Sequence, residues 1–278
     1  MHHFDTNGPI RLRLEFGAGD VTLDASDTTT TTVDLQPIGD DEESRDAVER
    51  TIVEQRGDEI VVKVPRGRLL RRSPKLRLRM VMPLGSRLSA ELQSADLVAT
   101  GEYGTSDVSS GSGDVAVTTI AGDARVSSGS GDVALDVVTG ACQLKSGSGS
   151  VRLESACGAT NVGTGSGDVV VGHAAADVSV KSGSGDIRVE QADGSVVLMS
   201  GSGDLQVGRV TSGKVSAKAA SGDVQIGVAA GTAAWLDLNT VSGDVVNGLD
   251  EATAPGDGER AVEIRATTVS GDVLIRRA

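Results

Sequence analysis

The sequence predicts an all-β fold, a single-stranded, right-handed parallel β-solenoid with 18 residues in each coil. Two observations predict it: the motif Ser-Gly-Ser-Gly-Asp-Val recurs along the chain, and two short alternating apolar runs follow each copy. The composition is a third observation that favours this fold, because the 278 residues include one Trp, one Tyr and two Phe but 37 Gly. A globular core of this length normally uses more aromatic side chains, whereas the narrow interior of a repeat fold is filled by small branched ones.

The aspartate that ends the motif marks each coil and sets the period. Counting by 18 joins seven markers, and the steps then lengthen to 19, 21 and 28 residues. The ten markers are Asp96, Asp114, Asp132, Ser150, Asp168, Asp186, Asp204, Asp223, Asp244 and Asp272. Longer steps are typical of insertions on one face of a solenoid, so we expect stacked strands to the end of the chain.

Each coil is expected to hold two strands separated by turns. The first run starts directly after the marker and the second lies about nine residues on, and both alternate with period two. The first inward position of each coil forms a single buried column, which consists of Val115, Val133, Val151, Val169, Ile187 and Leu205. Equivalent residues should stack about 4.8 Å apart, because one coil alone cannot bury its inward face.

Residues 1–83 lack the regular period and are predicted to form a β-rich cap on the solenoid of residues 84–278. A solenoid needs its first coil covered, and this region is the candidate cover. Residues 41–56 are predicted to be a helix within the cap. They have an acidic start, oppositely charged residues spaced four apart, and Gly57 after the end.

Charge and cysteine usage limit the partners and the location. The net charge is −13, and residues 101–278, with 12 basic and 22 acidic residues, carry −10 of it. Nonspecific nucleic-acid binding rests on phosphate neutralisation and is not expected. The N-terminus has neither the basic nor the apolar region of a secretory signal, and no apolar run is long enough for a transmembrane segment. Cys142 and Cys157 lack metal-type spacing, so we expect a cytoplasmic protein with reduced thiols.

The repeated Gly-Ser-Gly-Asp-Val turns resemble those of a bacterial β-strand-repeat family of adhesin-like domains of unknown function. The turns that carry the resemblance end at Asp114, Asp132, Asp168, Asp186 and Asp204. The N-terminal stretch with Phe4-Asp5-Thr6, Pro9-Ile10 and then Gly19-Asp20-Val21 is similar to the start of actinobacterial members. The resemblance covers nearly the whole chain and implies a β-solenoid fold. It implies little about activity.

The ten markers, which we call the Asp ladder, allow two interpretations. Carboxylates stacked at the coil spacing repel by about 1 kcal/mol per step in water, so something must offset the repulsion. Calcium could do so, but nine-residue calcium-binding repeats place one residue between the last Gly and the Asp, and here Asp follows Gly directly. Alternatively, each carboxylate accepts backbone N–H groups of its own turn. Ser150 favours this structural role, because serine keeps an acceptor and brings no charge.

Residues for catalysis are scarce. The sequence has no Gly-x-Ser-x-Gly elbow and no His-Glu-x-x-His, and its Gly-rich turns precede strands, not the helix that a phosphate-binding loop requires. His173 is expected to be exposed at a turn. The outward column of Asp136, Glu154 and Glu190 could supply a carboxylate pair, as in a polysaccharide-cleaving solenoid, but the sequence favours a solvated acidic face. We expect no enzyme, no cofactor and no metal.

One stretch concentrates positive charge. Seven basic residues and no acidic ones occur there: Arg66, Arg68, Arg71, Arg72, Lys75, Arg77 and Arg79. The stretch could dock an acidic partner, an anionic lipid surface or nucleic acid. It could equally be a solvated loop followed by an edge strand whose charges discourage aggregation. The sequence does not separate these alternatives.

Trp235 is predicted to point outward, because it precedes the inward pair Leu236 and Leu238. A lone exposed Trp can anchor a partner. The insertion Gly248–Arg260 is the longest in the solenoid and could instead cover the ring, which is the interpretation that the sequence favours.

The C-terminal residues are predicted to form an uncovered final coil. The chain stops in strand pattern after Asp272, and an uncovered strand offers its backbone groups to another molecule. Arg276 and Arg277 would face each other across a two-fold axis, which disfavours tight pairing. We therefore expect a monomer or a weak homodimer.

The predicted function is that of a non-catalytic structural or interaction module. The solenoid would bind another macromolecule, an unknown protein or an acidic surface, or would associate with itself in the cytoplasm. A secreted adhesin or carbohydrate-binding protein is the first alternative, and a processed N-terminus would support it. A solenoid hydrolase is the second, and it would need clustered carboxylates with the sugar-stacking aromatics that this sequence nearly lacks.

Overall fold

The computed structural model describes residues 1–65, 74–249 and 260–278. In these ranges the chain is all-β with one helix, and its repeated strands pair in parallel, which confirms the predicted β-solenoid. The chain divides into two compact units, Met1–Gly140 and Ala141–Ala278. Within the described ranges, none of the helical structure is long and apolar enough to cross a membrane.

The first unit begins with strands of uneven length and continues with the regular repeat. Its described elements are β1 (His2–Asp5), β2 (Arg11–Ser26), β3 (Thr30–Pro37), α1 (Glu42–Arg50), β4 (Ile52–Arg56), β5 (Glu59–Lys63), β6 (Lys75–Pro83), β7 (Ser86–Ser110), β8 (Val115–Ile120), β9 (Ala124–Ser128) and β10 (Val133–Val138). Apolar residues alternate with charged ones along β2 and β6, so one face of each strand is buried.

The second unit contains two short strands per coil. Its described strands are β11 (Cys142–Ser146), β12 (Val151–Ala156), β13 (Thr160–Thr164), β14 (Val169–Ala174), β15 (Val178–Ser184), β16 (Ile187–Ala192), β17 (Val196–Ser202), β18 (Leu205–Val210), β19 (Gly213–Ser221), β20 (Val224–Val228), β21 (Ala233–Ser242), β22 (Val245–Asn247), β23 (Ala261–Ser270) and β24 (Val273–Arg277).

Equivalent residues of successive coils lie beside one another, as the period predicts. The residue after the marker forms a continuous column in each unit, with Leu97, Val115 and Val133 in the first and Val151, Val169, Ile187 and Leu205 in the second. Each of these side chains is at most 1% exposed. The predicted buried column is therefore confirmed within each unit.

Helix α1 is shorter than the predicted helix over 41–56. It ends at Arg50, and the predicted last turns form β4, which pairs antiparallel with β5. The β-branched residues Ile52 and Val53 favour a strand, where their side chains pack without losing rotamer freedom. Gly57, which we interpreted as the helix stop, has φ of +65° and lies in the tight turn between the two strands.

The N-terminal region supplies a parallel layer together with the strands that close it. β2 pairs in parallel with β7, with Leu12 beside Leu88 and Val21 beside Leu97. β2 also pairs in parallel with β5 and β6. Antiparallel strands follow: β4 on β5, β3 on β6, and β1 on β3. The parallel order therefore stops here, while the boundary at residue 83 stays a prediction.

The last coils of the second unit are stacked out of chain order. We call Gly213–Val228 the preceding coil, Ala233–Asn247 the terminal coil and Ala261–Arg277 the final coil. The final coil pairs with the preceding coil through β19–β23 and β20–β24, and with the terminal coil through β21–β23 and β22–β24. It therefore lies between the other two coils.

The expectation that the final coil is uncovered is thus wrong. The 28-residue step from Asp244 to Asp272 contains enough chain to return across one layer, so order in the sequence differs from order in space. Arg277 does not point toward a free end, since its guanidinium donates to the carbonyl oxygens of Ala229 and Thr232 at 3.2 and 2.8 Å.

Candidate functional site

The terminal coil has strand partners on one side only within the described part of the chain. β21 pairs with β23, and β22 pairs with β24. By contrast, β19 of the preceding coil pairs with both β17 and β23, and β20 pairs with both β18 and β24. The terminal coil therefore has a free edge along both of its strands.

Apolar residues of the core column reach solvent at this edge. Val224 and Val273 are 0% exposed in their coils, but Val245, the next residue in the same column, is 46% exposed. On the other strand, Leu236 and Leu238 are only partly buried, although their neighbours Ile264 and Ala266 in β23 are fully buried. Exposed core residues of this kind mark a surface that a further layer would cover.

The turn of the terminal coil adds apolar surface. The first glycine of the repeat motif, as at Gly183 and Gly201, gives way in the last three coils to Ala220, Val269 and Val241. At Gly201 a Cβ would lie 2.6 Å from the carbonyl oxygen of Gly183, so the standard turn has no room for a side chain. Val241 and Val269 are 81% and 52% exposed. The replacement by valine is confined to the two layers nearest the free edge.

Trp235 points outward from the terminal coil, as its position in the alternation predicts. It is 57% exposed, so the predicted cover is at most partial. Most of the insertion that we expected to cover it, residues 250–259, lies outside the described residues. The ring is therefore available beside the free edge.

The Asp ladder connects layers, which differs from the predicted bonding within one turn. In seven of the ladder aspartates, one carboxylate oxygen accepts the backbone N–H of the marker in the adjacent layer. The distances are 2.8 to 3.0 Å. With the acceptor carboxylate first and the donor N–H second, the pairs are Asp96–Asp114, Asp114–Asp132, Asp168–Asp186, Asp186–Asp204, Asp204–Asp223, Asp223–Asp272 and Asp272–Asp244. Each of these seven carboxylate charges is thus offset by a donor from the neighbouring coil.

The ladder ends at the free edge. The Asp244 N–H donates to Asp272, but among the described residues no N–H reaches the Asp244 carboxylate. In the layers before it, Val224 donates to the Asp272 carbonyl and Val273 to the Asp244 carbonyl, at 2.8 and 2.9 Å. The equivalent N–H of Val245 has no following layer in the described part of the chain.

The backbone N–H of Gly243, like that of Val245, has no following layer in the described part of the chain. Its counterparts Gly222 and Gly271 donate their N–H groups to Ser270 and Ser242 in the following layers. Two N–H donors and one carboxylate acceptor are therefore aligned along the turn and the start of β22. A β-strand supplies groups of this kind.

This edge was not predicted, because a regular repeat suggests that coils stack in chain order. Two signals pointed to it. The 28-residue step marks the place where the order changes, and Val241 and Val269 replace glycine only in the layers affected.

Only part of the predicted basic stretch lies within the described residues. Arg66, Arg68, Arg71 and Arg72 lie outside the described residues. Lys75, Arg77 and Arg79 lie on the outward face of β6, where Arg77 forms an ion pair with Asp20 at 3.1 Å. β6 pairs with β2 and β3, so the prediction of an edge strand is wrong. A binding role for the stretch stays a prediction.

His173, which was expected to be exposed at a turn, lies in β14 and is hydrogen-bonded to Asp193. His173 Nε2 lies 2.8 Å from Asp193, and this hydrogen bond is the largest of the effects that lower the pKa of the carboxyl. Thr211 donates to the same carboxylate at 3.1 Å and does not contact the imidazole, so the order of a nucleophile–histidine–acid triad is missing. In the described ranges, no three His, Cys, Asp or Glu side chains are grouped as metal ligands.

We expect Asp168→Ala to lower the free energy of unfolding by roughly 1 kcal/mol, since it leaves the Asp186 N–H without its side-chain acceptor. Asp168→Asn is the control, because it keeps an acceptor oxygen and removes only the charge, and its stability should stay close to that of the parent. Thermal unfolding of the three proteins, with calcium and with chelator, measures both effects. A large calcium-dependent rise in melting temperature would contradict the structural role of the ladder.

The chain is similar to one protein family and to several solved structures. The family model described as Toastrack DUF4097 matches residues 21–174 and again residues 170–276. A candidate adhesin from Bacteroides fragilis NCTC 9343 is 12% identical with a TM-score of 0.41, and the alignment covers 100% of this chain and 95% of that chain. A candidate adhesin from Parabacteroides distasonis ATCC 8503 is 11% identical with a TM-score of 0.41, covering 99% and 95%. A candidate lipid-binding protein from the same strain is 12% identical with a TM-score of 0.37, covering 98% and 95%. No curated protein matches the chain.

Proposed function

This chain belongs to the Toastrack DUF4097 family, and we propose that it is a non-catalytic binding module that receives a β-strand of another chain on its terminal coil. The observation that carries the proposal is the free edge, where Val245 of the core column is 46% exposed and the adjacent hydrogen-bonding groups have no following layer in the described residues. A strand added there would meet the backbone groups and cover the column together.

The composition of the edge supports this function. Free edges in natural sheets are usually protected by lysine, proline or a bulge. Residues 233–247 contain no Lys, Arg or Pro, and β21 and β22 pair with the final coil without a break in register. An edge without protection exposes an adhesive surface, which favours a role in binding.

The polar groups of the second unit support a non-catalytic role. The ladder carboxylates accept backbone N–H groups, and Glu154 and Glu190 form ion pairs with Arg152 and Arg188 at 3.2 and 2.5 Å. A glycosidase needs one carboxyl held as an acid and a second available to the sugar or to water. Ion-paired carboxylates on a solvated face do not provide that pair.

We place the proposed binding in the cytoplasm. Cys142 is buried and Cys157 is exposed, and both are free thiols. Burial raises the pKa of the Cys142 thiol to about 12, so it stays protonated and unreactive. Unpaired thiols of this kind are compatible with a reducing compartment.

Val245→Lys is expected to abolish partner binding while leaving the fold intact. The lysine would extend from the free end of the column into solvent, so it need not be buried, but it would place a charge where a partner strand packs. Val197→Lys is the matched control, because Val197 is an exposed valine on β17, within the stack. Affinity capture from the native host with each variant, followed by mass spectrometry, compares them.

The captured partner must then be purified and shown to protect the amides of residues 233–247 from hydrogen exchange. Equal capture by the parent, Val245→Lys and Val197→Lys would place binding elsewhere and overturn the proposal.

A further inference from the structure

We infer that the partner of the terminal coil is a second copy of this chain, joined through antiparallel pairing of β21 with β21 of that copy. The inference rests on the proposed function, since it names the chain that occupies the same free edge. It requires that the edge is not covered from within the chain, that the surface is compatible with itself, and that the symmetry is closed.

The composition of the insertion that follows β22 is not typical of a covering strand. Residues 250–259 read Asp-Glu-Ala-Thr-Ala-Pro-Gly-Asp-Gly-Glu, with four acidic residues, two glycines and a proline. A covering strand needs alternating branched or large apolar residues to pack on Leu236, Leu238 and Val245. Residues 250–259 contain no such alternation, and this composition favours a covering strand from another chain.

The edge is compatible with a copy of itself. An isologous interface brings the same patch together twice, so uncompensated charges in the patch oppose their own copies. Residues 233–247 contain two charged side chains, Asp237 and Asp244. Asp237 is neutralised by Arg265 of the final coil, with Nε 3.0 Å from the carboxylate. The patch that remains has no unpaired charge along β21 and one carboxylate at its turn.

The position of Asp244 selects between the two-fold arrangements. Any two-fold axis in the plane of the terminal coil makes the facing strands antiparallel. A two-fold axis parallel to β21 would place the Asp244 turns of the two copies side by side, and their carboxylates would repel. A two-fold axis perpendicular to β21, in the same plane, pairs β21 with β21 of the other copy. In this arrangement the two Asp244 turns lie at opposite ends of the interface. The second arrangement separates the charges and also lets the Val241 and Trp235 side chains flank the shared sheet.

The first unit argues against an open filament. Head-to-tail growth would require the free edge of one copy to stack on a free parallel layer of the next copy. Within the first unit, the parallel pairing of β2 with β5 and β6 is followed by antiparallel β4, β3 and β1. A closed dimer is therefore the assembly that fits the free edge.

The single Trp provides a direct reporter, because Trp235 lies on β21 beside the proposed interface. Dilution of the protein should shift the Trp235 emission to longer wavelength as the dimer dissociates. Sedimentation velocity over the same concentrations should show the mass fall from two chains to one. Added salt should strengthen the dimer, because both copies carry net negative charge, whereas a partner held by basic groups would be weakened.

Val245→Lys should raise the dimer dissociation constant by at least roughly tenfold, equivalent to about 1.4 kcal/mol. Val197→Lys should leave it unchanged. A dimer that survives Val245→Lys with an unchanged constant would place the interface elsewhere and overturn the inference.

Hydrogen exchange separates failure of the inference from failure of the proposed function. If the parent is monomeric at every concentration and the Gly243 and Val245 amides exchange fast, the second copy is excluded and the free edge remains for another partner. If the parent is monomeric and those amides are protected, the chain covers its own edge, and both the inference and the proposed function are wrong.

Discussion

Val169→Asp is expected to prevent the second unit from folding. Val169 is fully buried and lies between Val151 and Ile187 in the column of the first inward position. An aspartate there would be surrounded by aliphatic side chains with no partner for its charge. The cost should exceed about 4 kcal/mol, which is a large fraction of the stability of a domain of this size.

The control for this substitution is Val170→Asp, one residue along the same strand. Val170 points outward and is partly exposed, so its carboxylate would remain solvated. Urea denaturation followed by circular dichroism should show a folded protein close to the parent for Val170→Asp and no cooperative transition for Val169→Asp. If the two variants have similar midpoints, the assignment of inward and outward positions is incorrect.

Gly185→Ala is expected to destabilise the second unit by about 3 kcal/mol. The φ angle of Gly185 is +138°, which L-residues rarely adopt, and a Cβ would lie 2.5 Å from the Gly167 carbonyl oxygen of the adjacent layer. The methyl group would therefore either force the turn into a new conformation or separate the two layers.

Gly163→Ala is the matched control for Gly185→Ala. Gly163 lies in β13, has no positive φ, and has open space within 4 Å of the Cβ position. Alanine there should leave stability unchanged or raise it by up to about 1 kcal/mol, because it reduces the freedom of the unfolded chain. Thermal unfolding of both variants gives the comparison. Equal losses at the two sites would show that close approach between layers does not constrain the turn.

The 18-residue period predicted the fold class because the repeated turn residues make the contacts between layers. A Cβ at Gly185 would overlap the neighbouring carbonyl, and the Asp186 N–H bonds to Asp168 in the adjacent coil. Register is therefore encoded in the turn, where the sequence repeats most strictly. The alternating valines then fix which side chains face inward.

The stacking order of the last coils could not be predicted from the same signal. A marker such as Asp244 or Asp272 shows that a coil is present, but it does not predict which other coils that coil pairs with. The final coil occupies the place between the preceding and terminal coils because the long step before it allows the chain to return. For the helix, local charge spacing suggested a longer element, and the pairing of β4 with β5 determined its end.

The candidate site was predicted only in pieces. The outward direction of Trp235 followed from alternation, and the structure agrees. The ladder carboxylates were predicted as turn acceptors, whereas Asp168 and its equivalents accept from the next layer. A bond between layers depends on which coils are neighbours, so the end of the ladder at Asp244 became visible only with the three-dimensional order of the coils.

Amide hydrogen exchange tests the central claim most directly, because it compares the terminal coil with the final coil in one protein. The measurement is made on Val245→Lys at low concentration, so that no second copy covers the edge. We predict that residues 261–277, although last in the chain, exchange as slowly as Gly213–Val228, and that Gly243 and residue 245 exchange much faster. Fast exchange throughout 261–277 with protection at Gly243 and residue 245 would show that the final coil is the end of the stack and would contradict this account.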